Sequence, residues 1–353
     1  VVSAGGAFLS LPSFGNDSVR FPRFATLAFL LASAGAFLLA PRTHAQAGDR
    51  FADVEITAQS VVEGVYMLRG AGGNLGLYAG GPESKGPFLI DDQYAPLTPR
   101  IRAAIGEITD RPVRFLLNTH WHPDHTGGNE NFGEAGALLV AHENVRERLS
   151  KSDFHVLFEQ EIPAAAVGAL PVVTFTERMS FHLGMGDGTA DNATRLRVEH
   201  QPHAHTDGDA VVFFEGAERG TENGTVQTVH MGDLYFAGGY PLIDIATGGS
   251  IDGVIDGIGR VLDQIDAGTP VIPGHGSLSD GAELRACRDM LVAVRERVQT
   301  MINEGQSLED VLAAAPTEGY DAEYDAHRSP EAFVTVLYRD LTGGIEQRRQ
   351  RRP

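Results

Sequence analysis

Asn118-Thr119-His120-Trp121-His122-Pro123-Asp124-His125-Thr126-Gly127-Gly128-Asn129 follows directly on an apolar run, Val113-Arg114-Phe115-Leu116-Leu117, and puts three histidines and a carboxylate into six positions. Side chains alternate along a strand with period 2, so a strand ending near Leu117 leaves His120 and His122 pointing to one side. Pro123 then turns the chain, which lets Asp124 and His125 face a second point nearby. Imidazole and carboxylate are the ligands a borderline cation such as Zn²⁺ takes, and two adjacent clusters imply two ions.

These residues match the H-x-H-x-D-H signature of the metallo-β-lactamase superfamily, and three later segments resemble that family in the expected order. They are Gln201-Pro202-His203-Ala204-His205-Thr206-Asp207-Gly208, Met231-Gly232-Asp233-Leu234-Tyr235-Phe236 and Val271-Ile272-Pro273-Gly274-His275-Gly276. The resemblance runs from about residue 62 to the early 290s and implies an α/β fold, a four-layer αββα sandwich, here with a C-terminal helical extension. It implies that His120, His122 and His205 hold a first zinc ion, that Asp124, His125 and His275 hold a second, and that Asp233 bridges them. Asp124 and Asp233 are then the carboxylates expected to act in catalysis. Asp91 resembles the aspartate that orients a ligand histidine from behind, with Asp92 next door as its rival. A water shared by two cations loses much of its pKa, and the cations polarise a scissile carbonyl or phosphoryl oxygen. His205 fits the family better than His203, which reads as a rim residue. No G-x-S-x-G occurs to suggest a serine nucleophile, and the single cysteine, Cys287, reads as a small core residue of a helix.

A net charge of -19 repels phosphate backbones, which excludes nucleic acid as a partner and leaves a small-molecule substrate. The one basic cluster, Arg348-Arg349-Gln350-Arg351-Arg352, reads as a solvated terminus. One cysteine forms no intrachain disulfide and no thiolate metal cluster. Near the N-terminus, Arg20-Phe21-Pro22-Arg23 precedes an apolar run over 24–40 and the triplet Ala45-Gln46-Ala47, the three-part layout of a secretory signal cleaved before Gly48. The expected organisation is a signal with an upstream extension over 1–47, a hydrolase domain over 48–280, and C-terminal helices with a basic tail over 281–353. The mature protein is expected in the periplasm or secreted, with no stable membrane anchoring.

Alternation and turn residues predict strands over 61–68, 75–78 and 87–92, with a Gly-rich hairpin turn at 70–74. Residues 97–108 predict a helix with Ile101, Ala104, Ile105 and Ile108 on one face, and 145–158 carries a second helical pattern. Strands are expected over 195–199, 211–214 and 226–230, with a polar turn at 218–224. A helix over 251–265 tolerates Gly253, Gly257 and Gly259 for close packing. Capping signals at Asp280 and Ser307 announce helices to about 302 and beyond, and 330–341 predicts a last one. Export argues against thioesterases with a cytosolic glutathione thioester, the acidic surface against RNA-processing relatives, and His122 against the flavin-linked branch, which has a carboxylate there. The expected activity is zinc-dependent β-lactam hydrolysis by a metal-bridging hydroxide. Asp233 stands where one lactamase subclass has a cysteine, which leaves lactone, ester, thioester or phosphodiester hydrolysis as alternatives and a non-catalytic zinc-binding protein as the contrasting class.

Overall fold

The computed structural model describes residues 50–80, 84–155, 160–184, 195–216, 225–324 and 326–343. The expected signal, the polar turn at 218–224 and the arginine-rich tail lie outside these residues.

Among the described residues, two large sheets carry the fold. The first has seven strands in the order β1 (Thr57–Val62), β2 (Val65–Arg69), β3 (Leu75–Tyr78), β4 (Phe88–Ile90), β5 (Phe115–Asn118), β6 (Leu138–His142) and β9 (Val173–Phe175). Its first four strands pair antiparallel and the rest parallel. The parallel crossovers carry α1 (Thr98–Gly106), α2 (Pro123–Thr126), α3 (Asn129–Glu134) and α4 (Glu143–Leu149), and β7 (Asp153–His155) with β8 (Gln160–Ile162) forms a separate hairpin. The second sheet has six strands: β10 (Arg178–His182), β11 (Arg195–Gln201), β12 (Asp209–Gly216), β13 (Thr225–His230), β14 (Pro270–Ile272) and β15 (Ser279–Asp280). Five helices accompany this half: α5 (Ile251–Leu262), α6 (Gly281–Asn303), α7 (Leu308–Ala313), α8 (Asp321–Tyr324) and α9 (Pro330–Leu341).

Strand periodicity builds the layers. In β12, Val212 and Phe214 enter the core between the sheets, where they join Met67, Phe88, Ile90 and Leu117 of the first sheet. Their neighbours Val211 and Phe213 face the other way, into a core with Val254, Ile258, Leu284, Leu291 and Phe333 of α5, α6 and α9. On the far side of the first sheet, Leu75, Leu77, Leu89 and Leu116 pack with Ile101 and Ile105 of α1. Helices, sheet, sheet and helices make the αββα sandwich, and strands with both faces covered read as continuous apolar runs. Among the described residues no helix is long and apolar enough to cross a membrane.

Local expectations fail where tertiary pairing overrides a pattern. The strand expected over 61–68 is a hairpin: Gly64 takes φ 72°, and β1 folds back on β2 with Val62 opposite Val65. The helix expected over 145–158 stops at Leu149, because Asp153 pairs with Ile162 in the β7–β8 hairpin. The capping signals hold. Asp280 accepts from the N–H groups of Ala282 and Glu283 at the start of the 23-residue α6, and Ser307 with Asp310 forms a capping box on α7.

One glycine of α5 is obligatory. A Cβ on Gly253 would lie 1.8 Å from the backbone oxygen of His203, whereas one on Gly106, at the end of α1, meets nothing within 4 Å. Gly253→Ala is expected to destabilise by about 1–3 kcal/mol, the cost of forcing a packed backbone apart, and Gly106→Ala to stabilise by about 0.4–1 kcal/mol through the unfolded chain. Thermal or urea unfolding of the two variants checks the contrast.

Candidate metal centre

Five strand ends deliver the site. Asp91 follows β4, His120 to His125 follow β5, His205 sits between β11 and β12, Asp233 follows β13 and His275 follows β14. These carboxyl ends lie at one edge of the sandwich, the usual position of a site in sheets with parallel strands. Two groups of side chains result, each with its ligand-type atoms within 4.8 Å of one another: His120, His122, His205 and Asp233, and Asp124, His125 and His275.

The imidazole protons are pinned outward. Thr119 Oγ1 donates to Asp91 Oδ2 at 2.7 Å, so it accepts from His120 Nδ1 at 3.0 Å. His122 Nε2 donates to Asp244 Oδ2 at 3.1 Å, and His205 Nδ1 donates to the Leu242 carbonyl at 2.7 Å. The inward atoms, His120 Nε2, His122 Nδ1 and His205 Nε2, then all carry lone pairs. They nevertheless approach closely, 3.1 Å from His120 to His122 and 3.0 Å from His122 to His205. Asp233 Oδ2 completes the group at 3.7 Å from His120 and 3.6 Å from His205. Ligand atoms about 2.0–2.1 Å from a tetrahedral ion stand about 3.3 Å apart, so the spacing fits one cation.

In the second group His125 repeats the device. His125 Nδ1 donates to Asp91 Oδ2 at 2.8 Å, and His125 Nε2 lies 3.4 Å from His275 Nε2 and 3.7 Å from Asp124 Oδ2. His275 Nε2 is 3.4 Å from Asp124 Oδ2. Asp233 spans both groups, with Oδ1 3.2 Å from His125 and Oδ2 3.4 Å from His275. Its Oδ1 is buried and accepts no hydrogen bond of good geometry among the described residues. A buried carboxylate oxygen left over among lone pairs is what a cation satisfies.

Electrostatics agree with that reading. Burial, aided by the charge of His125, holds the His120 pKa well below the ordinary histidine value, and burial takes His205 down to about 4, so both stay neutral and able to ligate. Burial also opposes charge on His125 and His275, yet the surrounding carboxylates, Asp233 foremost, raise both. Against its own burial, Asp233 is held well below the usual carboxylate range by His125, His275 and His120. The carboxylates call for positive charge between them.

All seven sequence-predicted residues, His120, His122, Asp124, His125, His205, Asp233 and His275, therefore meet in one place. Asp91 is the orienting aspartate, bonding His125 and both the N–H and hydroxyl of Thr119 from a backbone with φ 59°. Asp92 instead accepts from the Gly128 N–H. His203 is exposed and bonds the Gly248 carbonyl, outside both groups. Tyr240 is fully buried, stacked on Phe333 and bonded to Asp321, a packing residue. Trp121 is buried with Ala141 and Val145. Sequence reasoning missed Asp244 and Thr119, which set the tautomers of His122 and His120. Asp244 carried a weak signal, as an acid closing the run Tyr240-Pro241-Leu242-Ile243.

A family model described as the metallo-beta-lactamase superfamily matches residues 79–275, more than half of the 353-residue chain, and the chain belongs to that superfamily. Within it, this chain carries a His/Asp cluster that can hold metal ions. A curated hydroxyacylglutathione hydrolase from Erythrobacter litoralis (strain HTCC2594) is 50% identical over 42 residues, a segment that spans 12% of this chain and 16% of that protein. Among solved structures, the stereoselective inverting sec-alkylsulfatase Pisa1 from Pseudomonas sp. superposes with a TM-score of 0.55 at 15% identity, covering 80% of this chain and half (50%) of that one. A metallo-beta-lactamase from Pontibacter korlensis superposes with a TM-score of 0.49 at 18% identity, covering 67% of this chain and 99% of that one.

Two outcomes test this geometry. Asp244→Ala frees the His122 ring and is expected to weaken metal binding about 10–100-fold, read by chelator competition. Away from the centre, His142 and His200 stack at 3.7 Å, and burial together with His142 takes the His200 pKa down to about 4. The unfolded chain binds more protons between that value and the ordinary 6.5, so this stability is fully present above about pH 6.5 and is lost as pH falls towards about 4. His200→Gln is expected to flatten that part of the stability–pH curve.

Proposed function

We propose that the chain is an exported zinc-dependent hydrolase that cleaves acyl bonds with water, the β-lactam amide being its first candidate substrate. The observation that supports this best is the convergence of seven nitrogen and oxygen donors, with four of the five imidazole rings bonded outward through their other nitrogen. His120, His122 and His205 with Asp233 would hold one ion, and Asp124, His125 and His275 with Asp233 the other. Nitrogen and oxygen ligands without thiolate suit zinc. Bound there, divalent cations acidify water and polarise a carbonyl oxygen.

The chain's own groups supply the rest. Asp91, Asp244, Thr119 and the Leu242 carbonyl fix the rings of His125, His122, His120 and His205 in the tautomer that faces inward. Asp233, at 3% exposure, stays an ionised acceptor that orients an attacking water by hydrogen bonding. Asp124, at 20% exposure, is the carboxylate open to substrate and the natural carrier of a proton towards the leaving atom. No serine or cysteine nucleophile is needed.

Thioester hydrolysis is the second reading, favoured by the segment shared with the hydroxyacylglutathione hydrolase. It also suits a bridging aspartate. A hydrolysis screen of the zinc-loaded protein against β-lactams, lactones, thioesters and phosphodiesters decides between them. Turnover of thioesters with no opening of penicillins, cephalosporins or carbapenems would discard the lactamase reading and keep the zinc chemistry.

Elemental analysis is expected to find about two zinc ions per chain, because seven ligands exceed one tetrahedral shell. Asp233→Ala is expected to lower turnover by at least ~10²-fold with the fold retained. Intact mass of the exported protein is expected to correspond to a start at Gly48, whereas retention of residues 24–40 would indicate an anchored form.

A further inference from the structure

A strap from the C-terminal segment is tied to the loop that follows Asp233. The Tyr240 N–H donates to the Tyr324 carbonyl at 2.8 Å, the Tyr240 hydroxyl to Asp321 at 2.8 Å, and the Ala326 N–H to the Gly238 carbonyl at 3.2 Å. The strap ends on His327, whose Nε2 lies 3.2 Å from the Ala237 carbonyl. A carbonyl only accepts, so Nε2 carries the proton and Nδ1 keeps a lone pair.

The His327 ring stands edge-on to Phe236 with centroids 5.8 Å apart, and 6.0 Å from the ring of His275. Phe236 in turn stacks on His275 at 4.9 Å with the planes 9° apart. The loop is shaped for this ring: a Cβ on Gly239 would lie 2.4 Å from His327 Cδ2. His327 is nonetheless exposed, and its Nδ1 makes no hydrogen bond among the described residues. A ring held by the backbone bond of Ala326 beside it, by Phe236 and by its other nitrogen, but open to solvent beside the candidate metal centre, has the preorganisation that contact with a small molecule requires.

We propose that His327 is a substrate-positioning residue, its Nδ1 accepting a hydrogen bond from an O–H or N–H group adjacent to the scissile carbonyl. The inference rests on the hydrolase reading and narrows it. The substrates it fits carry a donor next to the reacting acyl group, as 2-hydroxyacyl thioesters and acylamino-substituted β-lactams both do.

Lactoyl and propionyl thioesters of one thiol differ by that hydroxyl alone, and they serve as the probe with the zinc-loaded protein. Wild type is expected to favour the lactoyl ester about tenfold in kcat/KM, through KM, the worth of one partly exposed hydrogen bond. His327→Phe keeps the ring against Phe236 and is expected to erase that preference, with kcat for the propionyl ester and the zinc content unchanged. His327→Asn, which offers an acceptor near the position of Nδ1, is expected to restore part of it. An unchanged lactoyl-to-propionyl ratio in a folded, zinc-replete His327→Phe variant overturns the proposal.

A second readout needs no turnover. The His327 imidazole resonances are expected to shift on titration with lactate and not with propionate. Absence of any hydrolysis alongside that selective shift refutes the acyl-hydrolase reading and keeps the contact, whereas equal responses to the two acids refute the contact.

Discussion

Everything at the centre depends on where the imidazole rings of His120, His122, His125 and His205 keep their protons. Each inward nitrogen faces another lone pair or a carboxylate oxygen at 3.0–3.7 Å, an arrangement that would repel itself without a positive charge in its middle. The outer acceptors that impose it are built from the fold: a carboxylate after β4 holds His125, a carboxylate after β13 holds His122, and the Leu242 carbonyl holds His205. A cluster with this many buried acceptors costs the folded chain stability, and binding a cation returns it.

The sandwich makes that cost tolerable. The candidate ligand segments are short loops, and strands such as β5, β12 and β14 that flank them have both faces covered by apolar cores. Such strands transmit little motion, since interiors are packed close to crystalline density. Asp91 illustrates the coupling: its N–H bonds the Leu117 carbonyl of the neighbouring strand, while its carboxylate reaches Thr119 and His125. One residue thus ties two adjacent strands to both ligand groups. The positive φ at Asp91 and Gln93 concentrates backbone strain beside the site, where the surrounding bonds can hold it.

The C-terminal helices are part of this construction. Leu284, Leu291, Phe333 and Leu337 share one core with Val211, Phe213 and Val229 of the second sheet. Their connecting strap holds Tyr240 and Gly238 in the loop between Asp233 and Asp244. That loop carries Asp233, which lies against both groups, at one end and the His122 partner at the other, so helices remote in sequence help set the geometry of both.

Much of this was legible in the chain itself. Four histidine and aspartate segments in order, separated by apolar runs, specify the ligand types and the sandwich, because the chemistry demands those side chains and periodicity reports which strands are buried. Capping residues at Asp280 and Ser307 located helix starts, since caps act within a few residues of themselves. Sequence alone could not rank Asp91 above Asp92, find Asp244 or Thr119, or show that 61–68 is two strands and that the helix begun at Glu143 ends at Leu149. Those outcomes depend on contacts between residues up to 122 positions apart, and on strand pairings that outweigh local preference. Local pattern determines which residues are available; only the packed sheets decide which carboxylate lies behind which ring.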